Sequence, residues 1–161
     1  MTEEKRRELT MIVLSGDMDK LIAAFSIATG AAALDMDVTM FFTFWGMRAL
    51  KKKNTRTGKS LMGKMMGIME GGDIEKASPS KYSMCGMGRW MFKKMMGAKN
   101  VPSLTEQRKL AIDLGVSLYA CQQTIDIMEI PRESIIDEVK DVVGVAFMLE
   151  HAKDSFSTLF I

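Results

Sequence analysis

Hydrophobic residues in the first 50 positions fall into short apolar runs that are separated by polar turns. Residues 9–15 form an apolar run with β-branched members that ends at Ser-Gly-Asp, which predicts a buried strand. Asp17 is a candidate N-cap for a helix that runs through Leu34, residues 38–44 predict a second strand, and residues 47–50 begin a short helix. This order predicts a βαβ unit with parallel strands and a right-handed crossover.

The same regular pattern resumes at Val101 and Pro102. Ser103 and Glu106 have the spacing of a capping box at the start of a helix, and Gly115 ends that helix. The positions that we expect to face the core are Leu104, Leu110, Ala111 and Leu114.

A strand and a short helix are predicted on either side of Cys121. Residues 116–120 form a short β-favouring run, Cys121 follows directly, and residues 122–128 can start a helix that Pro131 limits. Pro131 is also expected at the first position of a helix over residues 132–138, whereas residues 139–143 fit either a short strand or a loop. Residues 145–153 then predict a helix, and residues 156–161 predict a closing strand.

Residues 51–100 interrupt this pattern. They open with a basic loop at 51–59, and nine of the 17 Met of the chain lie between positions 61 and 96. The spacing predicts two amphipathic helical pieces, and their Met residues are Met62, Met65, Met66 and Met69 in the first and Met87, Met91, Met95 and Met96 in the second. We interpret this segment as a Met-rich helical insertion into a single α/β domain that spans residues 1–161.

The insertion is basic, whereas the rest of the chain is acidic. Residues 51–100 hold 12 Lys and Arg against 3 Asp and Glu, whereas the other residues hold 10 basic and 17 acidic side chains. This asymmetry favours an acidic or anionic partner for the insertion, although a solvated charged face would look the same. Nucleic acid is not expected, because the basic residues alternate with Met rather than with base-reading side chains.

Composition narrows the class of protein. A length of 161 residues, 47% hydrophobic content and 26% charged content are typical of one soluble domain with a sizeable core. The N-terminus lacks the pattern of a signal peptide, and the uncharged run at residues 21–34 is too short to span a bilayer. Two Cys do not make a disulfide framework, so we expect a cytoplasmic protein with reduced thiols.

Cys121 is the strongest candidate for chemistry. Its predicted place is the carboxyl end of a strand and the start of a helix, where unpaired N–H groups and the helix dipole favour a thiolate. We expect the backbone N–H groups of Gln122 and Gln123 to supply this stabilisation. The alternative is that Cys121 is a small apolar residue that fills a tight position under the sheet.

Four stretches carry a resemblance to a known family. They are FFTFWG at residues 41–46, the MGKMMGIM and MCGMGRWM pieces of the insertion, GVSLYACQQTIDIMEI at residues 115–130, and the ending VVGVAFMLEHAKDSFSTLFI. On these stretches the chain resembles the DsrE/DsrF-like family of sulfur-relay proteins, in particular the branch with a Met-rich insertion. The resemblance implies a three-layer α/β/α fold with a mostly parallel five-stranded sheet, a homo-oligomer, and a persulfide-carrying cysteine at Cys121.

The resemblance also implies partners. Rhodanese-like proteins would donate sulfur, small TusA-like carriers would exchange it, and no cofactor is needed. Whether such a protein turns over as a sulfurtransferase or only relays sulfur stays open. Cys85 lies in a Gly-rich stretch and is either a second thiol that works with Cys121 or an incidental loop cysteine.

The insertion also has an interpretation without sulfur chemistry. Met91, Lys93, Lys94 and Met95 form the surface that we expect to contact another subunit or a partner, with peripheral membrane contact as an alternative. The rival function is therefore a non-catalytic docking module that acts through this insertion. Met residues could also offer soft ligands to Cu(I), but Met at helical spacing usually serves packing, and we predict no metal.

Overall fold

The computed structural model describes residues 7–53, 55, 58, 60–69 and 72–161. At its centre is a five-stranded sheet in the order β4-β3-β2-β1-β5, in which every neighbouring pair is parallel. The strands are β1 (Glu8–Val13), β2 (Asp37–Phe42), β3 (Ser117–Cys121), β4 (Asp141–Val143) and β5 (Ser157–Phe160). The predicted α/β class and the five-stranded parallel sheet are therefore confirmed.

Six α-helices accompany the sheet within the described residues. They are α1 (Met18–Ala33), α2 (Leu61–Met69), α3 (Met87–Ala98), α4 (Leu104–Asp113), α5 (Gln122–Ile127) and α6 (Val145–Asp154). Shorter 3₁₀ segments cover Phe44–Leu50, Ile74–Lys76, Met84–Gly86 and Arg132–Ser134. None of the described helices is both long enough and apolar enough to cross a bilayer.

The two faces of the sheet carry different apolar clusters. Met40 and Leu118 point to the face on which the larger core lies, and that core includes residues of α1 and α4. Phe41, the next residue of β2, points to the opposite face because side chains alternate along a strand. There it packs with Cys121 and with Met148 of α6. Helices thus cover both faces, and Cys121 lies on the face that α6 covers.

Helix α3 of the Met-rich segment is fastened to the main domain by Glu75. The Glu75 carboxylate accepts hydrogen bonds from Lys93 Nζ at 2.9 Å and from the backbone N–H of Thr105 at 3.1 Å. Burial alone would raise the pKa of Glu75, but the bonds from Lys93 and Thr105 outweigh it and lower the pKa to about 2. Phe92 and Met96 of α3 pack against the larger core.

Helix α2 is held at its first turn. Ser60 donates its backbone N–H to Glu129 Oε2 at 2.7 Å, and its side chain accepts from the N–H of Gly63 at 3.0 Å. The Met stripe predicted for this helix includes Met66 and Met69, whose side chains lie outside the described residues, as does part of the predicted basic loop at 51–59.

Helix α4 begins where the capping box predicted, but the face that it buries differs from the predicted one. Ser103 accepts from the N–H of Glu106, and the Glu106 side chain accepts in return from the N–H of Ser103, so the capping box is present. Leu110 and Leu114, however, are exposed, and the prediction that they face the core is wrong. The buried positions are Leu104, Gln107 and Ala111, which are spaced i, i+3 and i+7.

Two further predictions concern the segment after Pro131 and the start of α1. The helix expected over residues 132–138 is wrong, because only the 3₁₀ turn Arg132–Ser134 forms. Ile135 leaves that turn in extended form, Ile135 and Ile136 are both buried, and the N–H of Ile136 donates to the carbonyl of Leu50. Asp17 is the N-cap residue of α1, as predicted, although its side chain makes no capping bond and instead accepts from the Ser15 hydroxyl at 2.9 Å.

Candidate functional site

Cys121 joins β3 to α5. It is the last residue of the strand and the N-cap of the helix, with extended backbone angles of φ −78° and ψ 117°. Its thiol is free, and only 2% of the residue is exposed. The carboxyl end of a parallel strand is where α/β proteins usually bind ligands. The sulfur is therefore close to this edge of the sheet but shielded from bulk water.

Two threonine hydroxyls lie beside this sulfur. Thr43 directly follows β2, and Thr124 lies in the first turn of α5 and is fully buried. Their Oγ1 atoms are 3.0 Å apart, and the backbone N–H of Phe44 donates to Thr124 Oγ1 at 3.0 Å. The end of one strand and the helix after another are thus tied together around Cys121.

The pKa of Cys121 reflects two opposing effects. Burial raises it, because a charged thiolate loses hydration in a protein interior. Hydrogen bonds from the hydroxyls of Thr124 and Thr43, and from the backbone N–H groups of Thr124 and Gln123, favour the thiolate. The hydrogen bonds prevail, and the pKa of Cys121 lies below its ordinary value. A larger fraction of the sulfur is consequently in its nucleophilic form at neutral pH.

The two glutamines chosen from the sequence occupy different places. Gln123 supplies one of the backbone N–H groups beside the sulfur. The other N–H group beside the sulfur is that of Thr124, whereas the side chain of Gln122 donates to Asp126 Oδ1 at 2.8 Å and accepts from Arg132 at 3.0 Å. The sequence did not lead us to predict Thr43 or Thr124 as residues of this site. Thr124 was detectable as a hydroxyl residue three positions after the cysteine at a helix start, but nothing in the sequence links Thr43 to this site.

Two glycines bring the loops after β1 and β2 into close contact next to the site. The N–H of Gly46 donates to the carbonyl of Leu14 at 2.8 Å, and a Cβ at Gly46 would lie 2.1 Å from the carbonyl oxygen of Val13. A Cβ at Gly16 would similarly lie 2.4 Å from the carbonyl oxygen of Trp45. This packing leaves the Trp45 side chain exposed near the carboxyl ends of the strands.

Cys85 lies in a separate part of the molecule. It is exposed, has a left-handed backbone with φ 53°, and precedes α3 between Met84 and Gly86. The buried neighbours of Cys121 are Phe41 and Met148, so the structure does not bring the two cysteines into one cluster.

The four residues predicted as a contact surface divide into two pairs. Met91 and Met95 are exposed on α3. The ammonium of Lys93 is paired with Glu75 at 2.9 Å, whereas that of Lys94 lies 5.2 Å from the centre of the Trp90 ring. All four thus lie on the outer surface, and Lys93 in addition fastens the helix to Glu75.

His151 has a structural partner. Its Nδ1 atom lies 2.7 Å from Glu8 Oε1, and its ring lies 4.6 Å from that of Phe147, measured between centroids. Within the described ranges, no group of three or more His, Cys, Asp or Glu side chains is arranged to hold a metal ion.

Comparisons with known proteins agree with one another. A family model described as the DsrE/DsrF/DrsH-like family matches residues 5–160. YrkE of Bacillus subtilis (strain 168), described as uncharacterized, is 40% identical over 162 residues that cover 100% of both chains. Sulfur carrier protein DsrE2 of Allochromatium vinosum is 34% identical over 162 residues, which cover 98% of this chain and 99% of that relative.

Solved structures share the fold. The ychN protein from E. coli superposes with a TM-score of 0.56 at 9% identity, over 96% of this chain and 99% of the other. MTH1491 from Methanobacterium thermoautotrophicum, a protein of unknown function, superposes with a TM-score of 0.53 at 12% identity and the same coverage. At these identities the likeness concerns the fold alone.

Proposed function

The chain belongs to the DsrE/DsrF/DrsH-like family, and from this premise we propose that it is a cytoplasmic sulfur carrier. In this proposal Cys121 holds sulfane sulfur as a persulfide and passes it to an acceptor thiol. The observation that carries the proposal is the Cys121 thiol at the carboxyl end of β3, where neighbouring hydroxyl and N–H groups lower its pKa. The 34% identity to a protein named as a sulfur carrier supports the same role.

Loading is a displacement at sulfur. The Cys121 thiolate attacks the outer sulfur of a donor persulfide, a new S–S bond forms, and the old S–S bond breaks. The donor leaves as a thiolate, Cys121 becomes Cys–S–SH, and the number of electrons and protons on the two partners together is unchanged. The lowered pKa of Cys121 supplies the attacking thiolate near neutral pH.

Unloading is the same step in reverse. An acceptor thiolate attacks the outer sulfur, and Cys121 leaves as a thiolate. A leaving thiolate of low pKa departs faster, so the donors from Thr43, Thr124 and Gln123 assist this step as well. The outer sulfur lies about 2 Å beyond Sγ, since that is the length of an S–S bond, and loading therefore extends the reactive atom away from the buried Sγ position.

The partners follow from the family resemblance. Rhodanese-like donors and TusA-like carriers present the persulfide and the thiolate that these two steps need. Trp45, exposed two positions after Thr43, would give such a partner an apolar contact at this end of the sheet. We also propose that the protein assembles with copies of itself, as the resemblance implies.

Sulfur loading can be measured directly. The reduced protein is treated with polysulfide, excess reagent is removed, and the intact mass is recorded. One added sulfur is expected in the wild type and in Cys85→Ser, and none is expected in Cys121→Ser. Addition of a thiol acceptor should return the mass to that of the reduced protein. An unmodified Cys121, under conditions that load a control persulfide carrier, contradicts the proposal.

A further inference from the structure

Helix α3 turns an apolar stripe toward solvent. Met87, Trp90, Met91 and Met95 are spaced i, i+3, i+4 and i+8, and they are 57%, 64%, 52% and 60% exposed. We call these four residues the α3 stripe. Large exposed apolar surfaces of this kind mark contact sites on soluble proteins.

The α3 stripe faces solvent because the opposite side of the helix packs against the rest of the domain. Phe92 and Met96 pack against the larger core, and Gly88 is buried where a Cβ would lie 2.0 Å from the carbonyl oxygen of Tyr82. Lys93 is bonded to Glu75 at the same side. Rotation of α3 that buried the stripe would break all of these contacts, so the stripe cannot be covered by its own domain without undoing the packing of the helix.

The charges beside the stripe select the kind of surface that can cover it. Helix α3 contains Arg89, Lys93 and Lys94 and no acidic residue. Lys93 is paired with Glu75, and Arg89 donates to the carbonyl of Lys76 at 2.8 Å. The ammonium of Lys94 instead lies over the stripe, 5.2 Å from the Trp90 ring centre. An apolar stripe of Met and Trp with basic residues along it is the pattern of a helix that lies at a lipid interface.

We propose that the α3 stripe docks the protein on a membrane surface that contains anionic lipids. Met and Trp side chains would enter the boundary between headgroups and acyl chains, while Lys94 reaches the phosphates. A second copy of the chain fits less well, because two α3 helices face to face would bring Lys94 of one toward Lys94 of the other, and Glu75 beside the helix is already paired with Lys93. This docking is independent of sulfur loading at Cys121.

Binding to defined vesicles tests the proposal. The full chain is sedimented with vesicles of phosphatidylcholine alone and of phosphatidylcholine with phosphatidylglycerol. We expect binding to the anionic vesicles only, with a partition coefficient at least about tenfold lower in the double variant Met91→Gln, Met95→Gln, because two apolar anchors are lost. Leu149→Gln, which changes an exposed apolar residue on α6, is the matched control and should bind like the wild type.

Fluorescence shows whether the stripe itself touches lipid. In the variant Trp45→Phe, Trp90 is the one remaining tryptophan of the chain. Its emission should shift to shorter wavelength on anionic vesicles and be quenched by brominated acyl chains. Raising the salt from about 0.1 M to about 1 M should weaken binding, because it shortens the Debye length from about 10 Å to about 3 Å.

Three results would overturn the proposal. They are no binding to anionic vesicles, equal binding by the wild type and the double variant, and an oligomer that the double variant converts to monomers by light scattering. The last result would assign the stripe to a subunit interface. Circular dichroism melts show whether the double variant is folded, and Lys94→Gln provides a second, milder variant in which anionic binding should fall while the fold is retained.

Discussion

The hydroxyl oxygens of Thr43 and Thr124 lie 3.0 Å apart, although the two residues are separated by 81 positions in the chain. Thr43 follows β2, and Thr124 belongs to the helix that begins after Cys121. Both hydroxyls also favour the thiolate of Cys121. The contact therefore links the ionisation of the cysteine to the packing of two elements that meet only in the folded protein.

Replacement of Thr124 by Val should raise the pKa of Cys121. The change removes a hydroxyl donor from the sulfur while it keeps the shape of the side chain. It also deprives the N–H of Phe44 of its acceptor, which should cost about 1–3 kcal/mol of stability. We expect alkylation of Cys121 by iodoacetamide at pH 7 to slow several-fold in a Cys85→Ser background, with the titration midpoint shifted to higher pH.

Thr124→Ser separates the effect of the hydroxyl on the Cys121 pKa from the effect of side-chain packing, because serine keeps the hydroxyl and removes a methyl group. It should restore fast alkylation at pH 7. In the wild type, alkylation should remain fast below the ordinary thiol pKa of about 8.5. Identical alkylation profiles for wild type, Thr124→Val and Thr124→Ser would show that the hydroxyl does not act on the sulfur.

Glu75 should give the protein a specific acid sensitivity. Its pKa is about 2 in the folded protein and, in the unfolded chain, is expected at the ordinary value of about 4.3. A group with a depressed folded pKa stabilises the fold above the unfolded pKa, and this contribution disappears as pH falls toward the folded pKa. The free energy of unfolding of the wild type should therefore fall between about pH 4.3 and about pH 2 more steeply than that of Glu75→Gln.

Urea unfolding at several pH values measures this difference. Glu150→Gln, which changes an exposed carboxylate on α6, is the matched control and should keep the wild-type slope. Equal slopes for wild type and Glu75→Gln across the window would mean that the carboxylate does not stabilise the fold through Lys93 and Thr105.

Lys93 and Lys94 should respond differently to the same substitution. Lys93→Gln removes the ammonium that bonds to Glu75 and should loosen α3, with a cost of up to about 1 kcal/mol because the pair is partly exposed. Lys94→Gln leaves that bond intact and should not change stability by more than about 0.5 kcal/mol. Limited proteolysis within residues 72–100 should be faster in Lys93→Gln only, and equal rates in both variants would contradict the assigned contact.

Gly46 should not tolerate a methyl group. An added Cβ would lie 2.1 Å from the carbonyl oxygen of Val13, so the loops after β1 and β2 would have to separate. We expect Gly46→Ala to lower the free energy of unfolding by about 1–3 kcal/mol. Gly30→Ala is the control, because a Cβ there meets no atom within 4 Å and alanine favours a helix by about 0.5–1 kcal/mol. A thermal melt that shows the opposite order would refute the close contact.

Local patterns in the sequence were sufficient for most of the fold. The apolar runs at β1, β2 and β3 and the capping box at Ser103 depend on neighbouring residues, and the structure has all of them. The face of α4 was not predictable in this way. Leu110 and Leu114 look like core residues, but the helix buries Gln107 and Ala111 instead, because its contact with α1 decides which side is covered.

Residues of the candidate site were likewise predictable only where they are neighbours in the chain. Cys121 was identifiable because strand end, helix start and thiol are adjacent in the chain. Thr43 was not, because its distance to Thr124 depends on how β2 and β3 align in the sheet. The role of Lys93 was similarly hidden, since its partner Glu75 lies 18 positions away in another turn.

The position of β5 has a consequence for synthesis on the ribosome. Strand β1 pairs with β2 on one side and with β5 on the other, and the contact between Thr10 of β1 and Ser155, just before β5, spans 145 positions. At about 5–20 residues per second, one edge of β1 stays open for on the order of ten seconds after it leaves the exit tunnel. An open apolar strand edge can pair with other nascent chains. Slower translation of the last third of the chain should therefore lower the soluble yield, and a chaperone that covers strand edges should restore it.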